Sequence, residues 1–221
     1  MFEMDYSSDA YVHRIARYYR RIRHLNQFGA VRVSSDELAD YMNISPSQVR
    51  TDLSKLGVGQ SGYGYKISAL SEELEKLLGI DKINEMILIG VGKLGQALLA
   101  YPGFYRYGFR FRAAFDINPS LQGKTFGYLQ EPIQSASELP RFLAKNKIPI
   151  AVLAVDPESV QPIVDILVDG NIEAIWNFAS NYPDVPEDVV LENVRILESL
   201  LKLSYQLEDD NESFQKGEKE T

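Results

Sequence analysis

The stretch Met86-Ile87-Leu88-Ile89-Gly90-Val91-Gly92-Lys93-Leu94-Gly95-Gln96-Ala97-Leu98-Leu99-Ala100 decides the fold. Its first four residues form a continuous apolar run, as in a strand buried on both faces of a parallel sheet. Gly90-x-Gly92-x-x-Gly95 follows at once, and Gln96 to Ala100 is helix-forming. In that context the first two glycines permit a tight turn and close approach of backbone to a pyrophosphate. The third lets helix pack on strand, and the helix N-terminus favours phosphate charge. Gly90, Val91, Gly92, Lys93, Leu94 and Gly95 are therefore candidate cofactor-binding residues.

Toward the C-terminus, a second strand, Phe111 to Phe115, ends at Asp116. That is about 20 residues past the motif, where a carboxylate accepts hydrogen bonds from an adenosine ribose. Such a carboxylate repels a 2′-phosphate, which favours NAD(H) over NADP(H). The plainer reading is a carboxylate in a strand-end turn, since Asn118-Pro119 follows. Strands at Ile150 to Val155 and Ala174 to Phe178, with a helix from Pro157 to Val168 stopped by Gly170, continue the alternation of a doubly wound α/β sheet. Val194 to Leu197 predicts a last strand. It leads into an apolar helix with Leu200, Leu201, Leu203, Tyr205 and Leu207, which needs a partner surface in its own domain or another subunit.

Toward the N-terminus the pattern changes. Val12, Ile15, Tyr18, Tyr19, Ile22 and Leu25 predict an amphipathic helix over Asp9 to Phe28, ended near Gly29. Ser34-x-x-Glu37 has the form of a capping box, and Ser45-Pro46-x-Gln48 supplies a second helix start after the turn at Asn43-Ile44. Two capped helices across a tight turn make a helix-turn-helix pattern. The second helix, closed by Gly57, would be the reader, with Ser47, Gln48, Arg50, Thr51 and Ser54 able to reach bases or phosphates. Gly57 to Ile67, glycine-rich and then alternating, predicts a wing that carries Ser61 and Tyr63. A linker helix from Glu72 to Leu78 ends at Gly79.

Charge supports this division. The chain carries a net charge of -8, yet Tyr11 to Lys66 holds nine Lys or Arg against four Asp or Glu. The segment after Leu207 has six acids and two lysines and reads as a disordered acidic tail. A basic segment in an acidic chain points to an anionic partner or, more plainly, to a solvated helix face. Capping, wing and charge together favour double-stranded DNA, although small helix-turn-helix modules also bind proteins.

Several function classes drop out. There is no cysteine, which excludes disulfides, thiolate metal sites and thiol redox sensing. No apolar run reaches the roughly 18 residues of a membrane span, and the N-terminus MFEMDYSSDA is unlike a signal peptide, so a cytoplasmic protein is expected. The two histidines, His13 and His24, lie on the first helix, and none of the thirteen tyrosines is followed four residues later by lysine. The usual acid-base apparatus of a dehydrogenase is missing, so the nucleotide reads as a signal rather than a substrate and no catalytic or metal-binding residue is expected. An oxidoreductase, or a protein whose ADP-containing ligand is coenzyme A, remains the alternative.

Arg32-Val33-Ser34-Ser35-x-Glu37-Leu38-Ala39, Gln48-Val49-Arg50-x-Asp52-Leu53-Ser54, Gly62-x-Gly64-Tyr65, the glycine motif, Tyr101-Pro102-Gly103-Phe104, Phe115-Asp116 and Asn177-Phe178-Ala179 occur in this order. Together they resemble the redox-sensing transcriptional repressor Rex family from about Arg14 to Leu207. The resemblance implies a homodimer of winged-helix and Rossmann domains with an exchanged C-terminal helix, which binds a palindromic operator and releases it on binding NADH. It adds Tyr101 and Phe104 to the cofactor site and implies a switch contact among Arg20, Tyr101 and the position of Arg195. There the family carries an aspartate. Arg195 would either repel Arg20 or be satisfied by a neighbouring acid, Glu192 or Glu198. Thr51, Ser61 and Ser180 also depart from the usual lysine, arginine and proline, and the wing is about one residue shorter, which points to a divergent paralogue. The expected domains are 1–78 (winged helix), 79–197 (Rossmann), 198–207 (dimerisation helix) and 208–221 (tail).

Overall fold

In the computed structural model, residues 9–60 and 62–217 are described, with side chains at 9–59 and 62–208. The chain divides into one unit ending at Ile83 and a second beginning at Asn84. The boundary falls after Ile83 rather than Leu78 because Gly79 and Ile80 still close the preceding helix. Their amides donate to the carbonyls of Lys76 and Glu75 at 3.1 and 3.0 Å, the arrangement that satisfies a helix's last carbonyls.

The first unit contains α1 (Asp9–Gln27), β1 (Arg32–Val33), α2 (Ser35–Met42), α3 (Pro46–Leu53), β2 (Gly59–Gln60), β3 (Gly64–Lys66) and α4 (Ile67–Leu77). Tyr11, Ile15, Tyr18, Tyr19 and Ile22 bury one face of α1. Val12, expected on that face, is 48% exposed, because Tyr11, Ile15 and Tyr18 at i, i+4 and i+7 set the stripe one step round the helix. Ser34 and Glu37 form the expected capping box, and α2 ends on left-handed Asn43. α3 opens on Ser45, whose hydroxyl accepts from the Gln48 amide at 3.2 Å. The three strands form an antiparallel sheet in the order β1-β3-β2, so the wing is present, and it also pairs with β1, a strand too short to show a period in sequence. The strand does not continue past Lys66. Ile67, Leu70 and Leu74 are buried at helical spacing, so the predicted linker helix begins at Ile67 rather than Glu72.

The second unit runs β4 (Asn84–Ile89), α5 (Lys93–Leu99), α6 (Pro102–Arg106), β5 (Phe109–Asp116), β6 (Gln134–Ser135), α7 (Leu139–Leu143), β7 (Ile150–Leu153), α8 (Val160–Asp169), β8 (Ala174–Asn177), β9 (Val190–Asn193) and α9 (Ile196–Gly217). All six strands are parallel, in the order β6-β5-β4-β7-β8-β9. Counted from β4, this is the 3-2-1-4-5-6 order of a Rossmann sheet, with its switch point between β4 and β7. Ile87 and Ile89 join a core that includes Val160, Val164 and Leu167 of α8. Met86 and Leu88 face the opposite core with Leu99 of α5. The alternation along β4 thus buries both sheet faces.

Two expectations at the C-terminal end are corrected. The last strand is Val190–Asn193, not Val194 to Leu197. Its register places Asn193 beside Asn177, whose amide nitrogen donates to the Asn193 side-chain oxygen at 2.8 Å. The final helix passes Leu207 and continues to Gly217, through most of the expected disordered tail. Positions 196–216 contain neither glycine nor proline, so nothing local stops the helix. The last four positions of the predicted tail lie outside the described residues. Leu197, Leu200, Leu201, Leu203, Tyr205 and Leu207 are all more than half exposed, so α9 leaves its apolar side chains largely uncovered. Among the described residues, no helix is long and apolar enough to cross a membrane.

Candidate functional site

The glycine turn connects β4 to α5 at the sheet's switch point. Gly90 has φ +90, and a Cβ there would lie 2.4 Å from the Ala154 carbonyl oxygen. A Cβ at Gly95 would lie 2.2 Å from the Gly90 carbonyl, which is the helix-to-strand approach expected of the third glycine. At Gly92 the same construction meets nothing within 4 Å. That side of the turn is open, as an incoming phosphate requires. Asp116 ends β5 and is 9% exposed. One carboxylate oxygen accepts from the Val91 amide at 2.6 Å and the other from the Asn118 amide at 2.7 Å. Asp116 therefore pins the glycine turn and closes its own strand, and each oxygen keeps a lone pair for a ribose hydroxyl.

Gly90, Gly92 and Asp116 line one cavity of about 220 Å³ with Ala154, Val155 and Ser159. Its donor set fits the ADP half of a dinucleotide: an open glycine turn for the pyrophosphate and a carboxylate for the ribose. Val91 is fully buried and contributes its amide rather than its side chain. Lys93 and Leu94 are exposed in the first turn of α5. Tyr101 and Phe104 do not line this cavity. Their rings stack edge-on at 5.0 Å, and Phe104 goes on to contact Phe111 and Trp176 at 5.9 and 5.7 Å. Tyr101 remains 55% exposed. A second cavity of about 320 Å³ lies between the loop after β8 and the start of α9. Arg195 stands at its edge, bonded to Glu198 at 3.1 and 3.2 Å, with its guanidinium 4.5 Å from the Tyr182 ring centre. Of the two neighbouring acids, Glu198 is the one that engages Arg195. Arg20 is exposed on α1.

In the first unit, Ser47, Arg50, Thr51 and Ser54 share the exposed side of α3 and the 3-10 turn that follows it. Arg50 donates to the Ser35 hydroxyl at 3.2 Å, and a cavity of about 470 Å³ opens between Arg50, the start of α2 and the wing glycines. Ser61 lies outside the described residues. Tyr63 is 74% exposed in the wing turn, and its carbonyl is held by Arg32 Nε at 2.8 Å. Gln48 departs from the expectation of an exposed, free reader. It is half-buried, and its amide donates to Asp52 at 2.8 Å.

In the sequence Asp52 has a place in a motif but no role, yet it organises this unit. Its carboxylate is fully buried and accepts from Arg14 Nε and Nη2 at 2.6 and 2.9 Å and from Tyr18 at 3.0 Å, besides Gln48. Burial pushes its pKa up, but the bonds from Arg14, Gln48 and Tyr18 outweigh that and hold it below the usual carboxylate range. The Tyr18 hydroxyl is pushed well above its ordinary value, first by burial and then by the Asp52 charge. The available signal was an acid on the apolar side of α3: Val49, Asp52 and Leu53 are its three buried residues. An acid in that position needs a buried partner.

The comparisons with known proteins follow the same division. A family model described as "CoA binding domain" matches residues 81–181, and one described as "Putative DNA-binding protein N-terminus" matches residues 8–54. The chain is 43% identical over 210 residues to the redox-sensing transcriptional repressor Rex of Caldicellulosiruptor saccharolyticus, which covers 95% of each. It belongs to the Rex family. The Rex of Clostridium acetobutylicum is 39% identical over 207 residues, covering 93% of this chain and 96% of that one. Among solved structures, the Rex-family repressor RSP in complex with β-NAD+ and operator DNA superposes with a TM-score of 0.87. It shows 40% identity and covers 97% of this chain and 98% of that one. RSP with β-NADH gives 0.83 at 38% identity, covering 95% and 97%.

Proposed function

We propose that the protein is a cytoplasmic, homodimeric transcriptional repressor that senses the NADH/NAD+ ratio. α3 and the wing bind double-stranded, palindromic operator DNA, and the crevice at Gly90, Gly92 and Asp116 takes NAD(H). The observation that carries this reading is the nearly full-length likeness to a repressor solved with operator DNA and β-NAD+ and also with β-NADH. Ser47, Gln48, Arg50, Thr51 and Ser54 on α3 and the turn after it, with Ser61 and Tyr63 of the wing, are the candidate DNA contacts. The α9 side chains Leu197 to Leu207 supply an apolar face suited to a second copy. NAD(H) supplies two redox forms that differ in charge and ring shape, and a ligand shifts a conformational equilibrium only by binding the two states differently. Asp116 disfavours a phosphorylated ribose, so coenzyme A and NADP(H) should compete poorly despite the match to a CoA-binding model. The protein performs no turnover in this reading: its two histidines both lie on α1, in the unit that carries α3 and the wing.

Titrating NADH, NAD+ and coenzyme A into a fluorescent operator complex tests the proposal. NADH should release the DNA, whereas NAD+ and coenzyme A should leave it bound. Equal release by all three, or none by NADH, would contradict it.

A further inference from the structure

Asp52 is a fully buried charge on the reading helix itself, and nothing in nucleotide sensing uses it. Its donors come from two directions. Arg14 and Tyr18 reach it from α1, while Gln48 reaches it from one turn earlier on α3. A carboxylate only accepts, so the Gln48 amide must turn its nitrogen inward and its oxygen Oε1 away. Gln48 is the third residue of α3, in the first turn, from which a helix lying in a major groove reaches base edges.

The nitrogen of that amide carries two protons, and Asp52 takes one. The remaining proton and Oε1 are the donor and acceptor with which a glutamine reads adenine N7 and N6. Two neighbouring hydroxyls are committed elsewhere. Thr51 donates to the Ser47 carbonyl at 2.9 Å and Ser54 to the Thr51 carbonyl at 2.8 Å, so their protons are turned back onto the helix. Arg50 is directed to Ser35 at 3.2 Å. A side chain tethered in its working orientation also loses less freedom on binding.

We propose that Asp52 is a positioning residue that presets Gln48 to read adenine at one base pair of each operator half-site, with α1 holding the carboxylate through Arg14 and Tyr18. The inference rests on the DNA-binding reading of α3. It predicts an effect at one base position, whereas a merely structural Asp52 predicts a uniform loss across all sequences.

Selection of the full-length protein on a randomised duplex library, followed by competition with duplexes changed at each position, tests it. The wild type should prefer adenine at one position per half-site by about fivefold to a hundredfold, the range of a good bidentate contact. Gln48→Ala should abolish that preference alone. Asp52→Asn should reduce the preference at the same position and change nothing further in the Gln48→Ala background, because coupled residues are non-additive. If Asp52→Asn does not fold, Tyr18→Phe carries the test: it removes one donor, leaves Arg14 in place, and should lower the same preference. A preference that survives Gln48→Ala, a uniform loss in Asp52→Asn, or an unchanged preference in Tyr18→Phe would overturn the proposal. If the wild type selects no duplex, the DNA-binding reading itself fails.

Discussion

The two units hold their recognition elements by opposite means. In the first, side chains do it: a buried carboxylate on α3 is gripped by an arginine and a tyrosine from α1. In the second, backbone does it: three glycines shape the turn, and Asp116 fastens that turn by accepting from the Val91 amide. A backbone-built site leaves its mark in sequence as fixed glycine spacing. A site built from side chains leaves only residue types scattered along the chain, and Arg14 and Asp52 are 38 positions apart.

The largest effect is expected at Asp52. Asp52→Ala leaves Arg14 without its buried partner and should cost about 3 kcal/mol, the lower end for a broken buried pair because Arg14 keeps some access to water. Denaturant unfolding measures this, and a loss confined to the first unit would show as an early, separate transition. Acid should do the same chemically. The folded pKa of Asp52 is depressed, so its contribution is complete above the ordinary carboxylate value of about 4 and is lost as pH falls from there through the folded value. Acid titration monitored by tyrosine fluorescence should therefore show a first-unit transition that Asp52→Asn weakens.

A smaller effect is expected from packing in the second unit. Gly95→Ala forces a methyl group against the Gly90 carbonyl and should cost about 1 to 3 kcal/mol, as overpacking does. Thermal unfolding should place that loss in the second unit and leave the first unchanged. The smallest effect belongs to Arg195. Its pair with Glu198 is exposed, and such pairs are worth about 0 to 1 kcal/mol. Arg195→Asp should increase the NADH effect on operator affinity by less than about fivefold, a factor that corresponds to that energy. An unchanged ratio of affinities with and without NADH would remove Arg195 from the switch.

The glycine turn, the capping box and the wing were legible because each is local: a few consecutive residues determine a cap or a turn, and Asp116 was legible as the end of the next strand. The Asp52 network was not, since it requires knowing that α1 lies against α3. Gln48 was read as exposed for the same reason; helical spacing alone does not reveal that an amide is tethered from below. The last strand was misplaced because β9 alternates weakly, with Val190 itself 68% exposed, and its register is fixed by Asn177 on a neighbouring strand. Tyr101 and Phe104 enter the cofactor site through the resemblance alone, and their local packing is an aromatic cluster with Phe111 and Trp176.

On the proposed reading one unit reads DNA while the glycine turn reads the nucleotide, so that each can be disabled alone. Gly92→Val separates the two, because Gly92 is extended backbone with a negative φ that any residue adopts and its Cβ direction is open, which lets the variant fold while blocking the pyrophosphate. Operator affinity measured with and without NADH should be close to wild type in its absence and unaffected by its addition, with NADH binding weakened by roughly a hundredfold, the cost of a few kcal/mol of lost contacts. Release of the operator from Gly92→Val at wild-type NADH concentrations would contradict the account.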